Sequence, residues 1–142
     1  MSFSVVAVDW QATGAVLAEI RRRVFIEEQS VPEALEWDGL DEYAVHVLAS
    51  DNANRPIGCA RLLPQGKIGR MAVLPKWRGN GVGRTMLETL ISLARTQGLS
   101  EVSLSAQTHA IPFYEQAGFQ VCSEIYDDAG IPHRDMVLTL TA

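Results

Sequence analysis

The sequence predicts an α/β (α+β) chain with a mixed, mostly antiparallel central sheet of six to seven strands flanked by about four helices. Short apolar runs that alternate with polar residues, such as "EVSLSA" at 101–106, read as half-buried strands. Two longer stretches, 12–25 and 82–97, repeat apolar residues every three to four positions, which is the period of an amphipathic helix. The runs follow the order β-α-β-β-β-α-β-α-β-β, which joins hairpins to crossover helices. One domain over residues 1–142 is expected, because 47% hydrophobic content is enough for one core of that length.

Taken in order, "FSVVAV" (3–8) suits a first strand. In "ATGAVLAEIRRRVF" Val16, Leu17, Ile20, Val24 and Phe25 share a helical stripe, with Arg21, Arg22 and Arg23 largely outside it. A Pro- and acid-containing segment, 30–41, follows as a loop or broken helix. "YAVHVLAS" is a strand, and "DNANRP" is dense in turn formers. "IGCARLLP" and "KIGRMAVLP" form two more strands joined at Gln65-Gly66. Val82, Met86, Leu87, Leu90, Ile91 and Ala94 then mark a helix ending near Gly98. After the strand at 101–106, "AIPFYEQAG" is a short helix with Pro112 in its first turn, where proline is tolerated. "FQVCSEIY" and "RDMVLTL" supply the last two strands around the turn "DDAG".

Composition narrows the function. The net charge of −5 weighs against a nucleic-acid binder, whose footprint is a basic face. No apolar run approaches the ~20 residues needed to cross a membrane, and "MSFSVVAVDW" lacks the marks of a signal peptide. A cytoplasmic protein is expected, with Cys59 and Cys122 as reduced core residues. His46, His109 and His133 do not form a zinc spacing, so no metal is expected. Glu27, Glu28, Glu33, Glu36, Asp38, Asp41 and Glu42 crowd one segment without an intervening Lys or Arg. This is either a solvated helix end and loop or a mouth that attracts a cationic amine.

The stretch "MAVLPKWRGNGVGRTMLETL" (71–90) carries the strongest chemical signal, with Gly79, Gly81 and Gly83 flanked by Arg78 and Arg84. A P-loop needs G-x-x-x-x-G-K-[ST] and a dinucleotide fold needs G-x-G-x-x-G in a first βα turn. The spacing here is G-x-G-x-G, so both fail. What survives is shared physics: glycines free backbone amides, and a helix starts at once, which favours a pyrophosphate. Arg78 and Arg84 are the candidate charge partners.

Arg78-Gly79-Asn80-Gly81-Val82-Gly83 resembles the R/Q-x-x-G-x-G/A signature of the GNAT superfamily of N-acetyltransferases, and it follows a strand, "GRMAVLP", that in this family runs alongside the pantetheine arm. "AIPFYEQAGFQ" is similar to the family's A-x-x-F-Y-x-x-x-G-F segment. "VFIEEQSVPEALEWD" and "DAGIPHRDM" resemble segments of its ElaA-like and YjcF-like branch. The likeness covers residues 3–140 and implies a GNAT fold using acetyl-CoA as acyl donor. Many family members have Asn where this chain has Gln107.

The resemblance implies direct attack of a primary amine, on a small molecule or peptide, on the acetyl-CoA thioester. Met71, Ala72 and Val73 are then expected to run along the cofactor and offer an amide to the developing oxyanion, with a strand bulge to free it. Arg78, Gly79, Asn80, Gly81, Val82, Gly83 and Arg84 hold pyrophosphate, Gln107 is a further cofactor contact, and Tyr114 protonates the leaving thiolate. An amine of pKa ~10 is only ~0.1% neutral at pH 7, equivalent to ~4 kcal/mol, so a base is useful. Glu28 is the first candidate base, followed by His46, Glu36 and His133. Glu28, Glu36, Asp38, His46 and His133 form the expected acceptor set. Similar proteins are often dimers, which leaves a homodimer as an open alternative. A different class, a non-catalytic acyl-CoA sensor or scaffold, shares the cleft but not the turnover.

Overall fold

The computed structural model describes residues 2–140 and contains one eight-stranded sheet. The strands are β1 (Phe3–Val8), β2 (Val45–Asp51), β3 (Pro56–Leu62), β4 (Lys67–Val73), β5 (Glu101–Gln107), β6 (Gln120–Val121), β7 (Tyr126–Asp128) and β8 (Ile131–Thr139). They lie in the order β1-β2-β3-β4-β5-β8-β6, with β7 also paired to β8. Every pairing is antiparallel except β4 with β5. Four α-helices accompany the sheet: α1 (Trp10–Arg21), α2 (Glu33–Glu36), α3 (Val82–Thr96) and α4 (Ile111–Glu115). None of the helices described is long and apolar enough to cross a membrane.

The sheet's pleat sorts its side chains onto two faces. On one, Met86, Leu87 and Leu90 of α3 pack against Val47, Ala60, Ile68, Leu104 and Met136. On the other, Leu17, Ile20 and Val24 pack against Cys59 and Ala72. Ile68 and Ala72 are an even number of residues apart on one strand yet face opposite sides. The cause is a bulge: Cys59 pairs with Ala72 and Arg61 with Gly69, so two steps on β3 oppose three on β4. Arg70, inside the bulge, has a left-handed φ of 49°.

Three expectations change. "FQVCSEIY" is two strands, not one, and the sheet gains a strand over the six to seven expected. Five steps from Val121 to Tyr126 oppose three from Met136 to His133 on β8, so the chain between them loops out. Ser123 fastens this loop, its Oγ accepting from Asp135 N at 2.7 Å and its carbonyl from Arg134 Nε at 2.9 Å. Cys122 therefore lies exposed in the loop and not in the core, whereas Cys59 is buried and burial pushes its thiol up to about 12. Finally, α1 does not stop at residue 25 but widens into a π-helical turn over Arg22–Glu28, with Gln29 N donating to Val24 O at 3.1 Å.

Candidate active site

A wedge in the sheet creates the site. β4 and β5 pair only through Lys67 with Ser103 and Ile68 with Leu104. Beyond that point β4 continues to Val73 and β5 to Gln107 without pairing. A cavity of about 1000 Å³ occupies the gap and runs from the glycine loop to β7 and β8. That volume is at the upper end of what small-molecule sites enclose.

The glycine loop forms one end of the cavity. Gly79 and Gly81 adopt φ of 78° and 86°, which side chains with a Cβ rarely reach, and the space beside each is open for at least 4 Å. Asn80 does not line the cavity; its side chain donates to Trp77 O and Arg78 O, both at 3.2 Å, and shapes the loop. α3 then begins at Val82 with no side-chain cap, its first internal bond running from Thr85 N to Gly81 O at 3.0 Å. The amides of Val82, Gly83 and Arg84 are thus left to a ligand, at the positive end of a 15-residue helix. Loop and helix end fit a pyrophosphate: they offer donors, positive potential and room for backbone approach.

Met71, Ala72, Val73, Gln107 and Tyr114 line the middle of the cavity. The expected strand bulge is present at Arg70 and Met71, overlapping the start of the Met71–Val73 stretch. Tyr114 is set by α4, its ring held edge-on by Phe113 at 5.0 Å and Phe119 at 6.0 Å. Burial pushes its phenol up to about 12, so the hydroxyl keeps its proton at neutral pH. Among the described residues no side chain or carbonyl bonds to that hydroxyl. Gln107 donates from Nε2 to Gln29 Oε1 at 2.9 Å, bridging the end of β5 to the π-helical turn.

The charged residues differ most from expectation. Glu28 and Arg78, expected to serve acceptor and pyrophosphate separately, bond to each other at 2.6 and 2.7 Å. The Arg78 guanidinium holds the Glu28 carboxyl below its ordinary range, which suits a charge anchor better than a base. Arg84 pairs with Glu88 at 2.8 Å. Both pairs are largely exposed, so exchanging partners costs little.

The acidic segment is not a free acidic mouth: Glu27 and Glu42 stay exposed, but Glu36, Asp38 and Asp41 are paired internally. Arg21, expected outside the helical stripe, is 1% exposed and bonds Glu36 at 2.8 Å and Asp41 at 2.6 Å. It lies between the rings of Trp10 and Trp37, at 5.9 and 5.1 Å. Arg61 bonds Asp41 at 2.9 Å and also Asp38. Arg70 reaches Asp38 at 3.2 Å and the Glu36 carbonyl at 3.1 Å. Its Nε is 3.0 Å from Glu36 Oε2 but too far off the N–H axis to bond. Three arginines thus neutralise three carboxylates, and Asp38 is held well below the usual carboxylate range by Arg61. Asp38 does not line the cavity, and Glu36 touches it with its charge already matched. These two are corrected from acceptor ligands to a neutral brace that holds residues 33–41 against α1, β3 and β4.

His46 is likewise corrected. It is 2% exposed, stacks on Trp10 at 5.1 Å and bonds the Asp41 carbonyl through Nε2 at 2.8 Å. Burial lowers its pKa, and it lies outside the cavity. His133, in contrast, lines the cavity. Sequence reading missed Arg70 and the Ser105–Tyr126–Asp135 group beside His133; "DxGIPHxxM" was the only signal near the latter. Among the described residues no three His, Cys, Asp or Glu side chains converge as a metal-binding set.

Comparison with known proteins agrees with this fold. Residues 6–140 match the family described as "Acetyltransferase (GNAT) domain". The chain is 38% identical over 122 residues to "Uncharacterized N-acetyltransferase YjcF" of Bacillus subtilis (strain 168), covering 83% of this chain and 86% of that one. It is 32% identical over 128 residues to "Protein ElaA" of Escherichia coli (strain K12), covering 84% and 83%. The crystal structure of ElaA superposes with a TM-score of 0.84 over 96% of this chain and 99% of that one, at 27% identity. An acyl-CoA N-acyltransferase from Pseudomonas aeruginosa superposes with a TM-score of 0.85 at 30% identity, over 96% and 99%.

Proposed function

The chain belongs to the GNAT acetyltransferase family, and from that premise we propose that it moves an acetyl group from acetyl-CoA to a primary amine of a small molecule or peptide, by direct attack. The wedge between β4 and β5, closed at one end by an uncapped helix start, carries this reading. The amides of Gly79 to Arg84 receive the pyrophosphate, with Arg78 and Arg84 exchanging their carboxylate partners for it. Met71, Ala72 and Val73 run beside the pantetheine arm, and an amide next to the bulge meets the oxyanion. Gln107 closes the middle of the cleft beside the arm.

Tyr114 protonates the departing thiolate. A buried phenol whose hydroxyl has no partner among the described residues has its proton available for such a leaving group. Glu28, released from Arg78 when pyrophosphate takes that arginine, becomes a negative group at the acceptor side. Its low pKa favours holding an ammonium over taking its proton. With Glu36 and Asp38 spent internally, the acceptor's positive charge is read by Glu28 and not by the whole acidic segment. We place the protein in the cytoplasm, where its donor is found and its two free cysteines stay reduced.

The test is a calorimetric titration with acetyl-CoA, followed by a screen of primary amines (polyamines, amino sugars, peptide amines) for acetyl-CoA-dependent thiol release. Micromolar binding with turnover on at least one class supports the reading. Binding with no turnover on any amine replaces it with the sensor reading, and no binding removes both.

A further inference from the structure

We infer, resting on the acetyl-transfer reading above, that His133 is the catalytic base that takes the proton from the acceptor amine. The assignment starts from register. His133 pairs with Gln107 across β5/β8, and Ser105 with Asp135, so these four side chains share one face of the sheet. Leu104 and Ala106 point the other way, into the α3 core. α1 packs against β3 and β4 on this face, and over β5 and β8 the face borders the cavity that His133 lines. The ring therefore stands directly across from the strand end beside which α4 presents Tyr114.

The hydrogen bonding of the ring fixes its proton. Nδ1 lies 2.7 Å from the carbonyl oxygen of Ile131, and a carbonyl only accepts. The neutral ring therefore carries its hydrogen on Nδ1, and Nε2 keeps a lone pair. Nε2 has no partner among the described residues. Among the described residues the only side-chain polar atoms sealed from solvent without a partner are Nε of Arg61 and Nε of Arg70, so Nε2 is not sealed, on a residue that lines the cavity.

The ring is also held in place. Tyr126 stacks on it at 6.1 Å and 22°, and the Tyr126 hydroxyl bonds Ser105 and, at 2.5 Å, Asp135 Oδ1. Tyr126 reaches this position because of the loop at 122–125 and the tight Ala129-Gly130 turn, where both residues have positive φ. Tyr126 and Asp135 act as positioning residues. The other carboxylates and imidazole that line the cavity are committed or loosely held. Glu28 bonds Arg78, Glu36 bonds Arg21, Asp128 is exposed on β7, and His109 is exposed on the turn before α4 with no fixed ring partner.

The chemistry balances. The acceptor ammonium gives one proton to Nε2 and the freed nitrogen attacks the thioester carbon. The C–N bond forms, the C–S bond breaks, and the thiolate leaves with the Tyr114 proton. The second proton lost by nitrogen as the amide forms returns to Tyr114 through water, and His133 passes its proton to solvent.

The test uses the acceptor found by the amine screen, with His133→Gln and His133→Ala. At pH 7 each variant should lose about 10²–10⁴-fold in kcat/KM. The deficit should shrink below about 10-fold near pH 9.5, where an amine of pKa ~10 is substantially neutral without help. Added imidazole should partly restore His133→Ala at pH 7, and acetyl-CoA binding by calorimetry should stay within about threefold. A loss that is equal at both pH values and indifferent to imidazole would overturn the assignment. So would a long-range ¹H–¹⁵N correlation spectrum of the wild-type protein showing His133 protonated on Nε2 when neutral. If wild-type protein binds acetyl-CoA but acetylates no amine, the acetyl-transfer reading falls and this inference falls with it.

Discussion

Replacing Tyr114 with Phe isolates the chemical role of one oxygen atom. The ring is wedged between Phe113 at 5.0 Å and Phe119 at 6.0 Å, and those contacts survive the change. The hydroxyl has no hydrogen-bond partner among the described residues, so its removal orphans none of them and the stability change should stay within about 0.5 kcal/mol. The catalytic loss is of another size. General acid catalysis is typically worth 10²–10⁴ in rate, or about 3 to 5 kcal/mol of barrier. The wild-type phenol, pushed up to about 12, stays protonated through pH 10, so it adds no alkaline fall in rate below that. The assay is thiol release at saturating acetyl-CoA, beside calorimetric binding and urea unfolding of both proteins. Expected are a kcat at least about 100-fold lower, a dissociation constant within about threefold, and an unchanged unfolding midpoint. A kcat within threefold of wild type would remove Tyr114 from the chemistry. A joint collapse of binding and stability would make it a packing residue.

Four other outcomes are expected. Gly81→Glu should abolish acetyl-CoA binding by calorimetry, while Gly81→Ala, strained by about 1–2 kcal/mol at φ 86° but uncharged, should weaken it far less; equal effects would mean that strain and not anion repulsion is read. Glu28→Gln should tighten acetyl-CoA binding by no more than about fivefold, since Arg78 is freed from an exposed pair, and should raise KM for a cationic acceptor; looser cofactor binding would contradict the exchange. Arg21→Ala should cost about 3 kcal/mol in urea unfolding, near the low end for a broken buried pair because Arg61 and Arg70 still serve Asp41 and Glu36; a cost below 1 kcal/mol would refute the brace. The Asp38 carboxyl has its folded pKa depressed by Arg61, so its stabilisation is complete above the ordinary carboxylate value of ~4 and lost as pH falls through the folded value. Urea unfolding free energies should decline from about pH 5 downward, and Asp38→Asn should flatten that decline; an unchanged slope would exclude it.

Much of the frame was legible because it is written in local periods. The 3.6-residue stripe Val82, Met86, Leu87, Leu90, Ile91 and Ala94 predicts α3, and all six are buried. The same holds for the alternation of "EVSLSA" and for Gly79 and Gly81, whose left-handed backbone is a property of the residue itself. The resemblance of residues 78–83 and 110–120 to family motifs, a matter of residue identity and not of period, pointed to the cofactor end of the cleft. The acceptor end was not legible, since it depends on pairs distant in sequence. Arg78 and Glu28 are 50 residues apart, and Arg61 and Asp38 are 23 apart. The acidic run looked unpaired along the chain because its arginines arrive from α1, β3 and β4. Whether a carboxylate faces solvent, a substrate or an arginine is decided by what the folded chain brings within about 3 Å. For the same reason His46 and His133 read alike in sequence: one ring is stacked under Trp10 away from the cavity, the other has its Nδ1 tied to Ile131 and lines the cavity. Local sequence determined the helix, the strands and the glycine loop, because those need only neighbouring residues. Tertiary structure alone decided which charges are spent, because Coulomb partners are chosen in space and not along the chain.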